Sequence, residues 1–289
     1  MLCVFIIETT EVIDMQPINW KVQSKIKNQS AFGHSRIKIK EVNITFPNKD
    51  LRLDISKVRR SIFDLKKGII LPIHLTPSLA EEIGIHLGDG FLSSKKYEYR
   101  LKGHKVDEKW YYIDYLKYLY KFLYNIDINI KNYSDTIGFE LSSLALWEFK
   151  VKVLGIKPGR KDNLVVPDII KVNDEKIICA FIRGFFDTDG SVAFLYKSGK
   201  GNYYPCVTIT QKSNRMIEEI AEILKMLGFS PRFYRNRQET QLMLNGYAQF
   251  KHYEEKIGWN SPKHLNKIIR WKEMFIGGHS STARIKDCG

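Results

Sequence analysis

The chain has 289 residues, 44% of them hydrophobic, and 46 Lys+Arg against 32 Asp+Glu give a formal charge of +14. That suits one large domain, or two halves plus an extension, and no stretch reaches the roughly 18 apolar residues of a membrane-spanning helix. The charge points to a polyanion, either nucleic acid or an acidic membrane surface, against the alternative of an ordinary protein that happens to be basic. The four cysteines, Cys3, Cys179, Cys206 and Cys288, form no CxxC pair and no cluster with zinc spacing. Neither structural zinc nor a disulfide framework is therefore expected, and a reducing compartment is favoured, the cytoplasm or an organellar matrix. Met1–Ile7 is apolar but too short for a secretion signal.

Residues 1–67 read as an N-terminal extension of mixed character. Its end, Ser56 to Gly68, reads as a short basic helix closed by glycine, either a solvated face or an arm that touches phosphates. The next helix has Thr76 as its N-cap and Pro77 behind it, runs through Leu79-Ala80-Glu81-Glu82-Ile83-Gly84-Ile85-His86-Leu87-Gly88-Asp89, and ends at Gly90. A second section, Ile178-Cys179-Ala180-Phe181-Ile182-Arg183-Gly184-Phe185-Phe186-Asp187-Thr188-Asp189-Gly190, has the same layout 100 residues later. It pairs Ala80 with Ala180, Gly84 with Gly184, Gly88 with Thr188 and Asp89 with Asp189. This is an internal repeat.

The flanks repeat as well. Extended segments Tyr97–Lys102 and Tyr203–Thr210 each precede an amphipathic helix, with Ile113, Leu116, Leu119 and Leu123 on one face in the first copy and Ile217, Ile220, Ile223, Leu224 and Leu227 in the second. Strand-like runs follow, Asn125–Lys131 with Thr136–Leu141 and Pro231–Arg237 with Thr240–Asn245, and a further helix closes each copy. The predicted fold is α+β: two pseudo-symmetric αββαββα repeats, residues 68–170 and 171–275, with a loose tail over 276–289.

Ala80, Gly84 and Gly88 recur every four residues and so form one stripe on their helix, as do Ala180, Gly184 and Thr188. Helical glycine costs roughly 1 kcal/mol against alanine, a cost that makes sense where two backbones approach closely. Packing the helices along this stripe brings Asp89 and Asp189 together. Two carboxylates about 5 Å apart repel by roughly 3 kcal/mol at an effective dielectric of 20, and the helix C-termini add to the penalty. A divalent cation between them reverses the sign, and oxygen ligands without His or Cys suit Mg²⁺. A lone Asp-Gly pair is most simply a helix end; two in register after matched helices are not.

These residues carry a family resemblance. The two sections resemble the LAGLIDADG homing endonucleases in their single-chain, two-repeat form, over roughly residues 68–275. The resemblance implies motif helices at a central interface, four-stranded antiparallel sheets forming a saddle over the DNA major groove, and metal at Asp89 and Asp189 beside Gly88 and Thr188. It implies Mg²⁺ as cofactor, with Mn²⁺ as a substitute and Ca²⁺ supporting binding without cleavage. The partner would be double-stranded DNA with a long asymmetric target, bound by a monomer, each repeat cutting one strand to leave short 3′ overhangs. Gln211 resembles a polar group bordering the site, and His104 takes its place in the first copy; Lys161 and Lys263 resemble lysines near the attacking water. Each lysine has the alternative reading of a phosphate contact or a solvated side chain. Asp187, matched by Leu87 in the first copy, reads as a packing residue or as one that supports the site residues from behind, and Glu81, Glu82 and His86 are expected to point away from the helix interface.

DNA recognition falls to the strands. Alternation puts Arg232, Tyr234 and Asn236 on one face and Phe233, Arg235 and Arg237 on the other, with the register open; Gln238, Gln241, Arg100, Lys102 and Lys212 are further candidates. The aromatic-rich helix Trp110–Tyr124 reads as packing rather than as a stacking platform for bases. Met1-Leu2 and Lys286-Asp287-Cys288-Gly289 lack the residues intein splicing needs, so a freestanding enzyme is expected. The alternative function is an RNA maturase or a DNA-binding regulator that keeps the scaffold without cutting.

Overall fold

The computed structural model describes residues 51–161, 163–171, 174–196, 203–236 and 238–277. Most of the expected N-terminal extension, Arg237 and the tail beyond 277 lie outside the described residues. Two antiparallel four-stranded sheets carry the same strand order. In the first, β1 (Gly90–Leu92), β2 (Glu98–His104), β3 (Lys131–Asn132) and β4 (Thr136–Ser142) are arranged β1-β2-β4-β3. In the second, β5 (Gly190–Tyr196), β6 (Tyr203–Gln211), β7 (Arg232–Arg235) and β8 (Thr240–Asn245) are arranged β5-β6-β8-β7. The two registers correspond, since Gly90 faces Leu101 and Gly190 faces Ile209.

The described helices are α1 (Ile62–Lys66), α2 (Pro77–Asp89), α3 (Lys117–Tyr124), α4 (Leu144–Glu148), α5 (Asp168–Lys171), α6 (Glu175–Asp189), α7 (Asn214–Met226), α8 (Tyr247–Lys256) and α9 (Pro262–Gly277). A π-helical turn, Tyr111–Leu116, leads into α3, and another, Phe149–Val153, follows α4. The hydroxyl of Thr76 caps α2 by accepting the Leu79 N–H at 3.3 Å, and Asp174 caps α6 by accepting the Ile177 N–H at 2.8 Å. Both motif helices are buried along nearly their whole length, at the centre of the apolar core.

Gly90 and Gly190 each follow a motif helix and open a strand, with φ values of −76° and −83°. Glycine is needed there for space, because a Cβ would strike the backbone of His86 or Phe186 one turn back. Asn125–Lys131 is not a strand. Asn125 turns left-handed at φ 53° and the Ile126 N–H returns to the Tyr120 carbonyl, so that Ile126 and Ile128 plug the core and only Lys131–Asn132 pairs. The long helix α9 was not foreseen. The short basic helix is anchored on one side and exposed on the other, at Ile62, Phe63 and Leu65. Asp64, buried in α1, accepts from Ser143 Oγ at 2.7 Å and Ala145 N–H at 3.1 Å, Arg59 pairs with Glu148, and Leu53 joins the core.

Candidate active site

Helices α2 and α6 touch along the small-residue stripe. A Cβ on Gly84 would run into the carbonyl of Phe181 and the amide of Phe185, and one on Gly184 would meet the carbonyl of Glu81. Ala80 and Ala180 are buried beside them. At the far end Gly88 leaves room for the side chain of Thr188, whose hydroxyl donates to its own helix at Gly184 O (3.1 Å) and Phe185 O (3.0 Å). The carboxyl carbon of Asp189 lies within van der Waals reach of where a Gly88 Cβ would sit. The stripe thus sets how closely the two helix ends, and their aspartates, approach.

Burial pushes the Asp89 carboxyl well above the usual range, and the charges of Glu108 and Asp189 push it further. Burial raises Asp189 too, but Lys161, a hydrogen bond from Gln211 and Lys263 pull against it. Each helix end also carries a lysine. Lys161 Nζ donates to the carbonyls of Leu87 (3.1 Å) and Gly88, and Lys263 Nζ donates to the carbonyl of Thr188 at 2.6 Å. Two ammonium groups therefore occupy equivalent positions at the negative ends of the helix dipoles. Gln211 Nε2 donates to Asp189 Oδ2. Asp89, Asp189, Lys161, Lys263 and Gln211 thus cluster at the two helix ends.

The sheets settle which strand side chains face outward. Arg232 pairs across the ladder with Met243, and Tyr234 with Gln241, all on the open face, while Phe233 pairs with buried Leu242. Arg100 and Lys102 lie on the open face of the first sheet, with His104 exposed at its end, its Nδ1 3.0 Å from Asp107 Oδ2. Arg100 and Lys102 are partly neutralised there, the first by Glu98 and the second by Glu140 at 2.9 Å.

Residues 176–258 match the family model described as a LAGLIDADG-like domain. That match lies within the second repeat. A reverse gyrase of Methanocaldococcus jannaschii is 27% identical over 128 residues, 44% of this chain and 7% of that protein. A probable translation initiation factor IF-2 of Thermococcus kodakarensis is 26% identical over 125 residues, 42% of this chain and 10% of that protein. The chain thus aligns with a tenth or less of the length of either curated relative. Among solved structures, I-DmoI in complex with DNA and Mn is 20% identical with a TM-score of 0.46, covering 64% of this chain and 97% of that one.

Several residues stand elsewhere than the sequence suggests. Arg235, at the ladder position opposite Thr240, is not on the open face of the second sheet; its guanidinium donates to Thr240 Oγ1 at 3.1 Å and to Glu218 at 3.2 Å. Asn236 shapes the β7–β8 hairpin, its side-chain oxygen accepting the N–H groups of Gln238 and Glu239. Gln238 is exposed in that turn and Lys212 just after β6. Glu81 does not point away from the helix interface but crosses it, accepting from Arg183 Nη2 at 2.6 Å, Tyr115 Oη at 2.5 Å and Asn260 Nδ2 at 2.7 Å. Glu82 and His86 do turn into the first repeat. Glu82 accepts from Lys150 Nζ at 2.5 Å and from the Tyr120 and Tyr124 hydroxyls, and His86 stacks on Tyr99. Asp187 is a packing residue: it accepts the Asn260 N–H at 2.9 Å and fixes the approach to α9. The aromatic segment before and along α3 packs, with Tyr111, Tyr112, Tyr120 and Tyr124 buried.

The first-copy counterpart of Gln211 is also corrected. Leu101 and Ile209 hold equivalent register positions, which aligns Gln211 with Gly103, not His104. The space a side chain would fill at Gly103 is taken by the carboxylate of Glu108. Glu108 is 3% exposed, accepts the His104 N–H at 2.6 Å, and pairs with Lys263 at 2.6 Å. Sequence reasoning missed it, because nothing in the first copy marks a residue outside the strands as the stand-in for one within them.

Proposed function

We propose that the protein is a site-specific DNA endonuclease that hydrolyses phosphodiester bonds with a divalent cation bound at Asp89 and Asp189. The observation that carries this reading is the pair of half-buried aspartates at equivalent, tightly packed helix ends, each end capped by one lysine. The donor set fits such an ion. Carboxylates and the carbonyls of Gly88 and Thr188 are hard oxygens, and the Lys161 and Lys263 ammonium groups already stand as cations at those carbonyls. Among the described residues no three His, Cys, Asp or Glu side chains form a ready cage, which suits an ion that keeps water and phosphate oxygens in its shell.

Mg²⁺ is the proposed ion, with Mn²⁺ able to replace it; when bound it polarises the attacking water and stabilises the leaving oxygen. Asp89 and Asp189 would hold it. Lys161 and Lys263 place positive charge where the phosphate gathers negative charge. Gln211 fixes the Asp189 carboxylate. The open sheet faces, through Arg100, Lys102, His104, Arg232, Tyr234 and Gln241, lie along the duplex, with Lys212, Gln238 and Asn236 at their edge. The reading includes a monomer, a long asymmetric site, one strand cut per repeat and short 3′ overhangs.

The test is selection of bound DNA from a fragment library in Ca²⁺, followed by exchange into Mg²⁺ and sequencing of the ends. Cleavage at one defined site, lost in Asp89→Asn and Asp189→Asn with binding intact, is the expected result. Specific binding with uncut DNA in Mg²⁺ would overturn the endonuclease and leave a DNA-binding regulator; RNA selected in place of DNA would point to the maturase.

A further inference from the structure

The two halves of the site are chemically unequal. On the second-repeat side the strand position beside the aspartate carries Gln211, whose amide donates to Asp189. On the first-repeat side the same register position is Gly103, and the carboxylate of Glu108 fills its space. A neutral donor is thus replaced by a negatively charged acceptor. Glu108 also takes one of the two lysines, since Lys263 is shared between Glu108 Oε1 and the Thr188 carbonyl, both at 2.6 Å, whereas Lys161 donates to the carbonyls of His86, Leu87 and Gly88. The hydroxyl of Tyr112, 1% exposed and packed against the Gly103 position, has no protein hydrogen-bond partner. An unpaired buried hydroxyl there leaves one polar group available to a ligand on the Asp89 side.

We propose that Glu108 is a positioning residue that makes the Asp89 side of the centre the tighter of two unequal cation positions, by adding a carboxylate beside Asp89 and holding Lys263 off it at the Thr188 carbonyl. This deepens the endonuclease reading and rests on it. Glu108 supplies charge where Gln211 supplies a donor, so the two strands of a bound duplex meet different surroundings. The first cation to bind takes the Asp89 side.

The full-length protein without DNA is titrated with Mn²⁺, and the free ion is read by electron paramagnetic resonance, a readout independent of cutting. Glu108→Gln keeps the shape and the contact with the His104 amide; it should weaken the tighter Mn²⁺ site by roughly 10–100-fold, the usual scale for groups that support metal ligands. Glu108→Asp should restore part of the affinity, and Lys263→Met should tighten the same site. Opposite signs from the two members of one ion pair exclude general loss of fold. Unchanged Mn²⁺ affinity in Glu108→Gln, with affinity lost in Asp89→Asn, would overturn the role of Glu108 and leave the endonuclease reading standing. Mn²⁺ binding indifferent to both Asp89→Asn and Asp189→Asn would sink the metal reading itself, and this inference with it.

Discussion

At the residue scale, the clearest electrostatic feature outside the centre is Glu148. Burial pushes its carboxyl up, but hydrogen bonds from Arg59 and Lys152 outweigh burial and bring it from 4.5 to about 2. A carboxylate depressed in the folded state contributes stability above its unfolded pKa and loses it as pH falls through the folded value. Glu148→Gln should therefore lower stability by about 1–3 kcal/mol at neutral pH, a figure held down by the exposure of Arg59. Urea melts should show the deficit shrinking as pH drops from 4.5 toward 2; a deficit constant with pH would mean the pair acts through packing alone. Residue roles were unevenly legible in the sequence. Asp89 and Asp189 could be read because each ends a patterned helix, whereas Lys161 and Lys263 came only through the family resemblance of their segments. Glu108 could not, since its role depends on a strand register that puts Gly103 opposite Ile137 and leaves a gap for a side chain outside the strand.

At the scale of elements, the motif helices were legible because glycine at a four-residue spacing inside a helix has few reasons other than close backbone approach. Gly184 lies against the Glu81 carbonyl, so Gly184→Ala should overpack the interface. We expect a loss of about 1–3 kcal/mol, read from the urea midpoint, together with weakened Mn²⁺ binding because the aspartates ride on the same helices. Stability equal to the parent would mean that α2 and α6 slide apart without cost. The strand from Asn125 was misread because its apolar alternation, Ile126 and Ile128, serves a core plug instead of a ladder. Periodicity cannot separate the two without a partner strand.

At the scale of the whole molecule, the +14 charge acts together with the open sheet faces. If these faces meet 6–10 phosphates, DNA affinity should fall by roughly 10³–10⁵-fold between 50 and 200 mM salt. Filter binding across that range measures it, and a flat response would place the contacts elsewhere. Among the described residues no helix is long and apolar enough to cross a membrane. Both sheets have the same strand order, yet their open faces differ, acid-balanced in the first and carrying Arg232, Tyr234 and Gln241 in the second.

The Gly84–Gly184 contact also bears on how such a molecule can change over generations. Every atom of the stripe answers to the opposite helix, so one half cannot drift there without a matching step in the other. The outward strand positions answer only to whatever lies against them. Under selection for a new target, substitutions should accumulate on β2, β6, β7 and β8 while the helix pair stays fixed. Joining both halves in one chain leaves each sheet free to follow its own half of an uneven sequence.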